Sequence, residues 1–272
     1  MKDRAKKYYN RVAPFYDATY DSSPYWEFYR RITWEHFKPF LPRTAHARVL
    51  DTGGGTGYWA IRLAKAGFRV TLSDLSEAML ERARGNLAEA GIAEGAVAIV
   101  AADITDLAPF PDAGFEMVLA QGDPLSYSAN PAKAMKSIDR VLQPGGVLVA
   151  SVDGKYGGID HFFQGRDLDG LERFLRDGRT EWLAHDRQER FPVTMFSPDE
   201  LVALVRARGF EVLSLAGKTV LPVRQHPELL EDRESFHRLE RLERSLHREP
   251  ALLGRASHLE IVARKPAAGA RP

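Results

Sequence analysis

The chain has 272 residues, 44% of them hydrophobic, and a formal net charge of +1, which suits one large buried core and shows no charge bias toward nucleic acid or membrane. It contains no cysteine, which excludes a disulfide framework, a zinc knuckle and a thiol nucleophile. No apolar run approaches the ~20 residues that span a bilayer, and the opening Met-Lys-Asp-Arg-Ala-Lys-Lys lacks an apolar signal core, so a cytoplasmic protein with no membrane partner is expected.

Residues 1–46 are rich in aromatic rings, and a helix over about Trp26–Phe37 is expected to bury Trp26, Tyr29, Trp34 and Phe37. Next, Val49-Leu50-Asp51 reads as a strand ending in a carboxylate, followed by Gly53-x-Gly55-x-Gly57 and a helix over Tyr58–Ala66. Strand, glycine turn and helix is how an open α/β sheet presents a nucleotide site. The third glycine comes two residues after the second, not three, and Tyr58 stands where a pyrophosphate would be crowded. That spacing disfavours a dinucleotide oxidoreductase, and no Lys-Ser/Thr follows as a Walker loop requires. The loop suits an uncharged linker or an amino-acid moiety.

The next strand, Phe68–Ser73, ends at Asp74, with Ser76 able to cap a helix over Glu77–Ala90. A carboxylate at that strand tip is placed to accept from ribose hydroxyls. A third strand, about Ala96–Ala101, ends in Asp103-Ile104, and a fourth, Phe115–Ala120, precedes Gln121-Gly122-Asp123-Pro124-Leu125-Ser126-Tyr127. A helix over Pro131–Leu142 is expected to stop at Pro144-Gly145-Gly146 before strand five, Val147–Val152. Residues 153–196 break the alternation. Ser197-Pro198-Asp199-Glu200 carries a capping box, Gly209 ends that helix, and Phe210–Ala216 reads as strand six. A charged helix is expected over 224–249, with Phe236, Leu239, Leu242 and Leu246 on one stripe, and His258–Ala263 closes the sheet as strand seven. The eight histidines are scattered without ligand spacing, and no metal is expected.

Asp51 with Gly53-x-Gly55-x-Gly57, the acids at 74 and 103, and Leu142-Gln-Pro-Gly-Gly in that order resemble the class I S-adenosylmethionine-dependent methyltransferases. The resemblance implies an α/β, Rossmann-like sheet of seven mostly parallel strands with an antiparallel last strand and helices on both faces. It implies S-adenosyl-L-methionine as cofactor, S-adenosyl-L-homocysteine as product, and a cofactor site drawn from Tyr16, Asp51, Gly53, Gly55, Gly57, Asp74, Leu75, Met79, Asp103, Ile104 and Gln121. In the family the glycine loop wraps the methionine part, the second acid holds the ribose and the third binds the adenine amino group. Val12-Ala13-Pro14-Phe15-Tyr16-Asp17 resembles the family's entrance segment, so 1–46 is expected to form an aromatic helical lid on a methyltransferase domain of 47–266. Cap insertions are expected at 153–196 and 218–256, and a flexible tail at 267–272.

A sulfonium methyl is already electrophilic, so alignment with the acceptor dominates, and a base is needed only where the nucleophile must lose a proton. Asp123, Tyr127 and His161 are the candidate catalytic residues. The expected reaction is methyl transfer to an oxygen or nitrogen of a small molecule. The end of the chain (His247–Pro250, Leu253–His258, Ala263–Pro266) is similar to bacterial tRNA carboxymethoxyuridine carboxyl-methyltransferases, which makes tRNA the alternative partner. A non-catalytic protein that binds the cofactor is the third possibility. Oligomeric state is not legible in the sequence.

Overall fold

The computed structural model of the chain describes residues 2–181, 190–267 and 269. The strands are β1 (Arg48–Thr52), β2 (Arg69–Asp74), β3 (Val97–Ala101), β4 (Phe115–Ala120), β5 (Leu142–Asp153), β6 (Arg179–Glu181), β7 (Pro192–Thr194), β8 (Glu211–Lys218) and β9 (His258–Arg264). Seven form one sheet in the order β3-β2-β1-β4-β5-β9-β8, while β6 and β7 make a separate antiparallel pair. Only β9 runs against its neighbours in the large sheet. This is the architecture the sequence predicts.

The central strands are apolar because both faces are covered. Val49, Leu72, Met117 and Val149 pack under the helix Tyr58–Lys65 on one face. Leu50, Val118, Leu148 and Ile261 pack with the helices Pro131–Val141 and Pro198–Arg206 on the other. The chain builds β1, β2 and β3 outward, then returns to lay β4 on the far side of β1. At such a switch point the loops after two adjacent strands diverge and leave a crevice at their carboxyl ends. Here those loops are Gly53–Gly57 and Gln121–Asp123.

Two helices precede the sheet, Lys2–Asp21 and Pro24–Phe37, the first continuing through Pro14. The first packs through Ala5, Tyr8 and Tyr9 on Phe162, Phe174, Phe191 and Val193 of the segment after β5. The second packs through Tyr25, Phe28 and Ile32 on Val223, Leu230 and Phe236 of the segment between β8 and β9. Tyr25, not Trp26, is the fully buried ring at the start of the second helix, and Trp26 is half-buried beside Tyr20.

Several expected boundaries differ. Strand β5 begins at Leu142, before the Pro-Gly-Gly turn, because Leu142 pairs with Phe115 across a register shift, so the preceding helix stops at Val141. The charged segment 224–249 is not one helix but Val223–Gln225, Glu228–Glu231 and Arg233–Leu246, restarted where Asp232 accepts from the Ser235 amide. Its buried face carries Phe236, Glu240 and Glu243, while Leu242 is 52% exposed. Glu243 turns inward because it accepts hydrogen bonds from the Val220 and Leu221 amides at 2.7 and 3.0 Å, donors that would otherwise be unpaired.

Candidate active site

The crevice opens into a cavity of about 830 Å³ between the carboxyl ends of the strands and the first helix. That volume lies within the ~300–1,000 Å³ of small-molecule and cofactor sites. One side is the glycine loop. Gly53 and Gly55 hold φ of +70° and +55°, which an L-residue reaches only with strain. A Cβ on Gly53 would lie 2.6 Å from Pro124 Cβ, whereas one on Gly55 would meet nothing within 4 Å. Gly53 is therefore glycine for packing against the loop after β4, and Gly55 leaves open space on the cavity side.

Asp74 lines the cavity from the tip of β2 and organises the loop, accepting from the Gly55 amide at 3.0 Å and the Ser76 amide at 2.8 Å. Burial pushes its carboxyl upward, and the amide donors work against that shift. Asp51 lies beneath the loop, fully buried, with a backbone hydrogen bond from Ala60 working against the effect of burial. Burial, together with the neighbouring Asp74 charge, raises it to about 7. Leu75, Met79, Asp103 and Ile104 line the same side. Asp103 also accepts from the Thr105 amide at 2.7 Å, which closes its turn.

The roof is the first helix, with Tyr9, Val12, Tyr16 and Tyr20 facing in. Tyr16 stacks on Tyr20 at 4.5 Å, and burial raises both phenols. Tyr58 and Trp59 form wall: Arg30 sits 4.0 Å from the Tyr58 ring centroid, and Trp59 stacks on Trp34.

The opposite floor follows β4, β5 and β9. Asp123 is almost fully buried and sits at φ +65°, uncommon for a non-glycine residue. It is held there because Ser151 Oγ accepts from the Gly122 and Asp123 amides, both at 3.1 Å. Tyr127 lines the cavity beside Tyr9 and Phe191, its phenol raised well above its ordinary value by burial, then by Asp153. Asp153 ends β5 opposite its register partner His258 on β9. Burial, reinforced by Asp123, raises the Asp153 carboxyl well above its ordinary value, and burial lowers His258.

Not every expected residue reaches the cavity. Gln121 does, but its amide is spent: Nε2 donates to Glu260 at 2.7 Å and Oε1 accepts from Lys218 at 3.0 Å, inside a buried group that includes His36. Gly57 lies behind the loop as the N-cap of the helix Tyr58–Lys65. His161 is exposed and does not line the cavity, because the short helix Ile159–Gln164 turns Phe162 inward to stack on Phe174. Asp153 and His258, which line the cavity, are not legible in the sequence as site residues. Asp153 and His258 lie 105 positions apart and meet only through strand pairing.

Among the described residues no helix is long and apolar enough to cross a membrane. A family model described as a methyltransferase domain matches residues 49–146, the stretch from β1 to the turn within β5. The chain is 26% identical over 222 residues to the tRNA 5-carboxymethoxyuridine methyltransferase of Escherichia coli K12, covering 80% of each. Its fold is similar to an S-adenosylmethionine-dependent methyltransferase from Mesorhizobium loti (20% identity, 86% of this chain and 98% of that one, TM-score 0.60). It is also similar to the [4+2]-cyclase SpnF (21% identity, 88% and 81%, TM-score 0.56). Residues 49–146 thus match a methyltransferase domain, and the glycine loop, the carboxylates behind and beside it and the seven-stranded sheet carry the fold of S-adenosylmethionine-dependent methyltransferases.

Proposed function

We propose that this enzyme transfers the methyl group of S-adenosylmethionine to an oxygen or nitrogen of a small, largely enclosed acceptor. The observation that carries this is the division of one cavity into two differently built sides. The side of Gly53, Gly55, Asp74, Asp103 and Ile104 suits an aminoacyl-nucleoside, and the side of Asp123, Tyr127, Asp153 and His258 faces it across a roof of aromatic rings. The bound cofactor supplies an activated methyl electrophile. The protein's part is alignment and exclusion of water, worth on the order of 7–11 kcal/mol when two reactants are well oriented.

In this reading Gly53 and Gly55 receive the methionyl portion, Asp74 the ribose hydroxyls, and Asp103 with Ile104 the adenine. Leu75 and Met79 pack at the nucleoside, and Tyr16 covers it. Asp51, behind the loop, holds its shape. Asp123 and Tyr127 face the acceptor, and a hydroxyl or ammonium there can donate to Asp123 Oδ1, which has no other partner among the described residues. His161 has no part in it, since it lies outside the cavity.

A second reading, methylation of a carboxylate on a tRNA wobble uridine, is favoured by the relative that matches four-fifths of the chain. It fits Arg224, an exposed cation on the cavity lining where an anionic nucleotide would enter. A labelled-methyl assay on small-molecule extract and total tRNA, run side by side, separates the two. Label in the small-molecule fraction supports the first reading, and label in tRNA alone overturns it.

A further inference from the structure

The cavity floor gathers three side chains that the sequence keeps apart. Asp123 follows β4, Asp153 ends β5 and His258 begins β9. His258 Nε2 stands 3.6 Å from Asp123 Oδ2 and 3.7 Å from Asp153 Oδ1. One ligand atom from each of the three residues lies within 4.8 Å of the others. These separations exceed a hydrogen bond and fall between the roughly 3 Å of cis and roughly 4 Å of trans donors around one six-coordinate cation with bonds of about 2.0–2.2 Å, so a bound ion would draw the three donors slightly together.

The arrangement is held from outside. Ser151 Oγ fixes the loop of Asp123, and Ser126 Oγ accepts from the Asp153 amide at 2.9 Å. Asp123 sits in an uncommon backbone conformation for a non-glycine residue, and such strain collects at functional sites. Two further observations point to a ligand. Asp123 Oδ1 has no hydrogen-bond partner among the described residues, although its residue is only 4% exposed. Asp123 and Asp153 are moreover two buried carboxylates side by side, while Lys218, the buried ammonium of this region, is engaged with Gln121 and Glu260. Buried carboxylates without donors are costly unless paired or bound to metal.

We propose that Asp123, Asp153 and His258 form a divalent-cation site on the floor of the cavity. Two carboxylate oxygens and an imidazole nitrogen are the donor set of a first-row divalent ion such as Mn²⁺. Three protein ligands leave coordination positions open toward the acceptor side. Resting on the methyl-transfer reading, this narrows the acceptor to one that presents oxygen donors to the ion.

The test is calorimetric titration of the chelator-treated full chain with MnCl₂, checked by electron paramagnetic resonance of the free ion. Expected is one saturable site, weakened at least about tenfold in Asp123→Asn and in Asp153→Asn, and unchanged in Asp160→Asn, an exposed acid nearby. Thermal unfolding of each variant shows whether it is folded, and both buried Asn variants are expected to match or exceed the parent because they remove buried like charges. Absent saturable binding, or binding that folded Asp123→Asn and Asp153→Asn leave intact, overturns the proposal. S-adenosylhomocysteine is titrated into the same samples. If the parent binds Mn²⁺ but not S-adenosylhomocysteine, the methyl-transfer reading fails and the ion site stands; the opposite result fails the ion site alone.

Discussion

Asp17, near the end of the first helix, accepts a 2.5 Å hydrogen bond from Thr56 Oγ1 in the glycine loop. Its other oxygen accepts from Arg82 Nε and Asn86 Nδ2, both at 2.9 Å, and Asn86 also donates to the Thr56 carbonyl. Asn10, two turns earlier, accepts from Ser76 Oγ at 2.7 Å. The roof of the cavity is thus bolted to the glycine loop and to the helix Glu77–Glu89 that follows β2. Asp17→Ala should weaken S-adenosylhomocysteine binding by about tenfold, roughly 1.4 kcal/mol, with a loss of stability of about 1–3 kcal/mol from the abandoned donors. Calorimetry and denaturant unfolding measure the two separately, and undiminished affinity would show that the roof does not shape the cofactor side.

The same residue gives a pH dependence. Burial works to raise the Asp17 carboxyl, but the hydrogen bonds from Thr56, Asn86 and Arg82 outweigh it and hold it below its ordinary value of 3.8. A depressed carboxyl stabilises the fold above its unfolded value, and that contribution is lost as pH falls through the folded value. Roof anchoring should persist at neutral pH and fail only in acid. Unfolding midpoints of Asp17→Ala and parent should converge as pH falls below the ordinary carboxyl value of 3.8.

Asp51 has the opposite sign. Its folded value, about 7, lies above the ordinary 3.8, so between these pH values the unfolded chain releases a proton that the folded chain keeps. Its stabilising share is complete below 3.8 and is lost as pH rises to about 7. Asp51→Asn should therefore gain stability relative to the parent above pH 7, by at most about 4 kcal/mol, and match it near pH 3.5. Denaturant titrations of both proteins across that range check it; a difference independent of pH would mean that Asp51 is paired in solution.

Gly53 and Gly55 separate two roles of glycine in one loop. Gly53→Ala places a methyl against Pro124 at 2.6 Å, so it should destabilise the protein by about 1–3 kcal/mol. Gly55→Ala meets nothing and should cost only about 1–2 kcal/mol of backbone strain. Because its methyl enters the cavity, it should nonetheless weaken S-adenosylhomocysteine binding tenfold or more. A Gly55→Ala protein that binds as tightly as the parent would place the ligand away from this loop.

Asp74→Ala removes both the proposed ribose acceptor and the partner of the Gly55 amide. Hydrogen bonds to a charged group are worth about 1.5–3 kcal/mol, so affinity should fall roughly 10–100-fold. Equal affinity for parent and variant, read by calorimetry, would remove Asp74 from the cofactor site.

The sheet was legible because its signals are local. Asp51 and the glycines that follow sit within a few residues of each other, Ser76 and Ser197 mark helix starts by capping, and the central strands are short apolar runs. Where a partner distant in the chain decides the outcome, the reading missed. Leu142 joins β5 only because Phe115 lies opposite, Glu243 turns inward only because Val220 and Leu221 present amides, and Phe162 displaces His161 because Phe174 offers it a ring.

The amino-acid order alone determined the switch-point crevice and the kind of cofactor it suits, since strand tip, glycine turn and helix start follow from backbone preferences within one βα unit. Tertiary structure alone decided the proposed acceptor side. Asp123, Asp153 and His258 come from three strand ends, and antiparallel pairing of β9 with β5 brings His258 beside Asp153. Register between distant strands is set by burial of whole faces, and no short window of sequence encodes it.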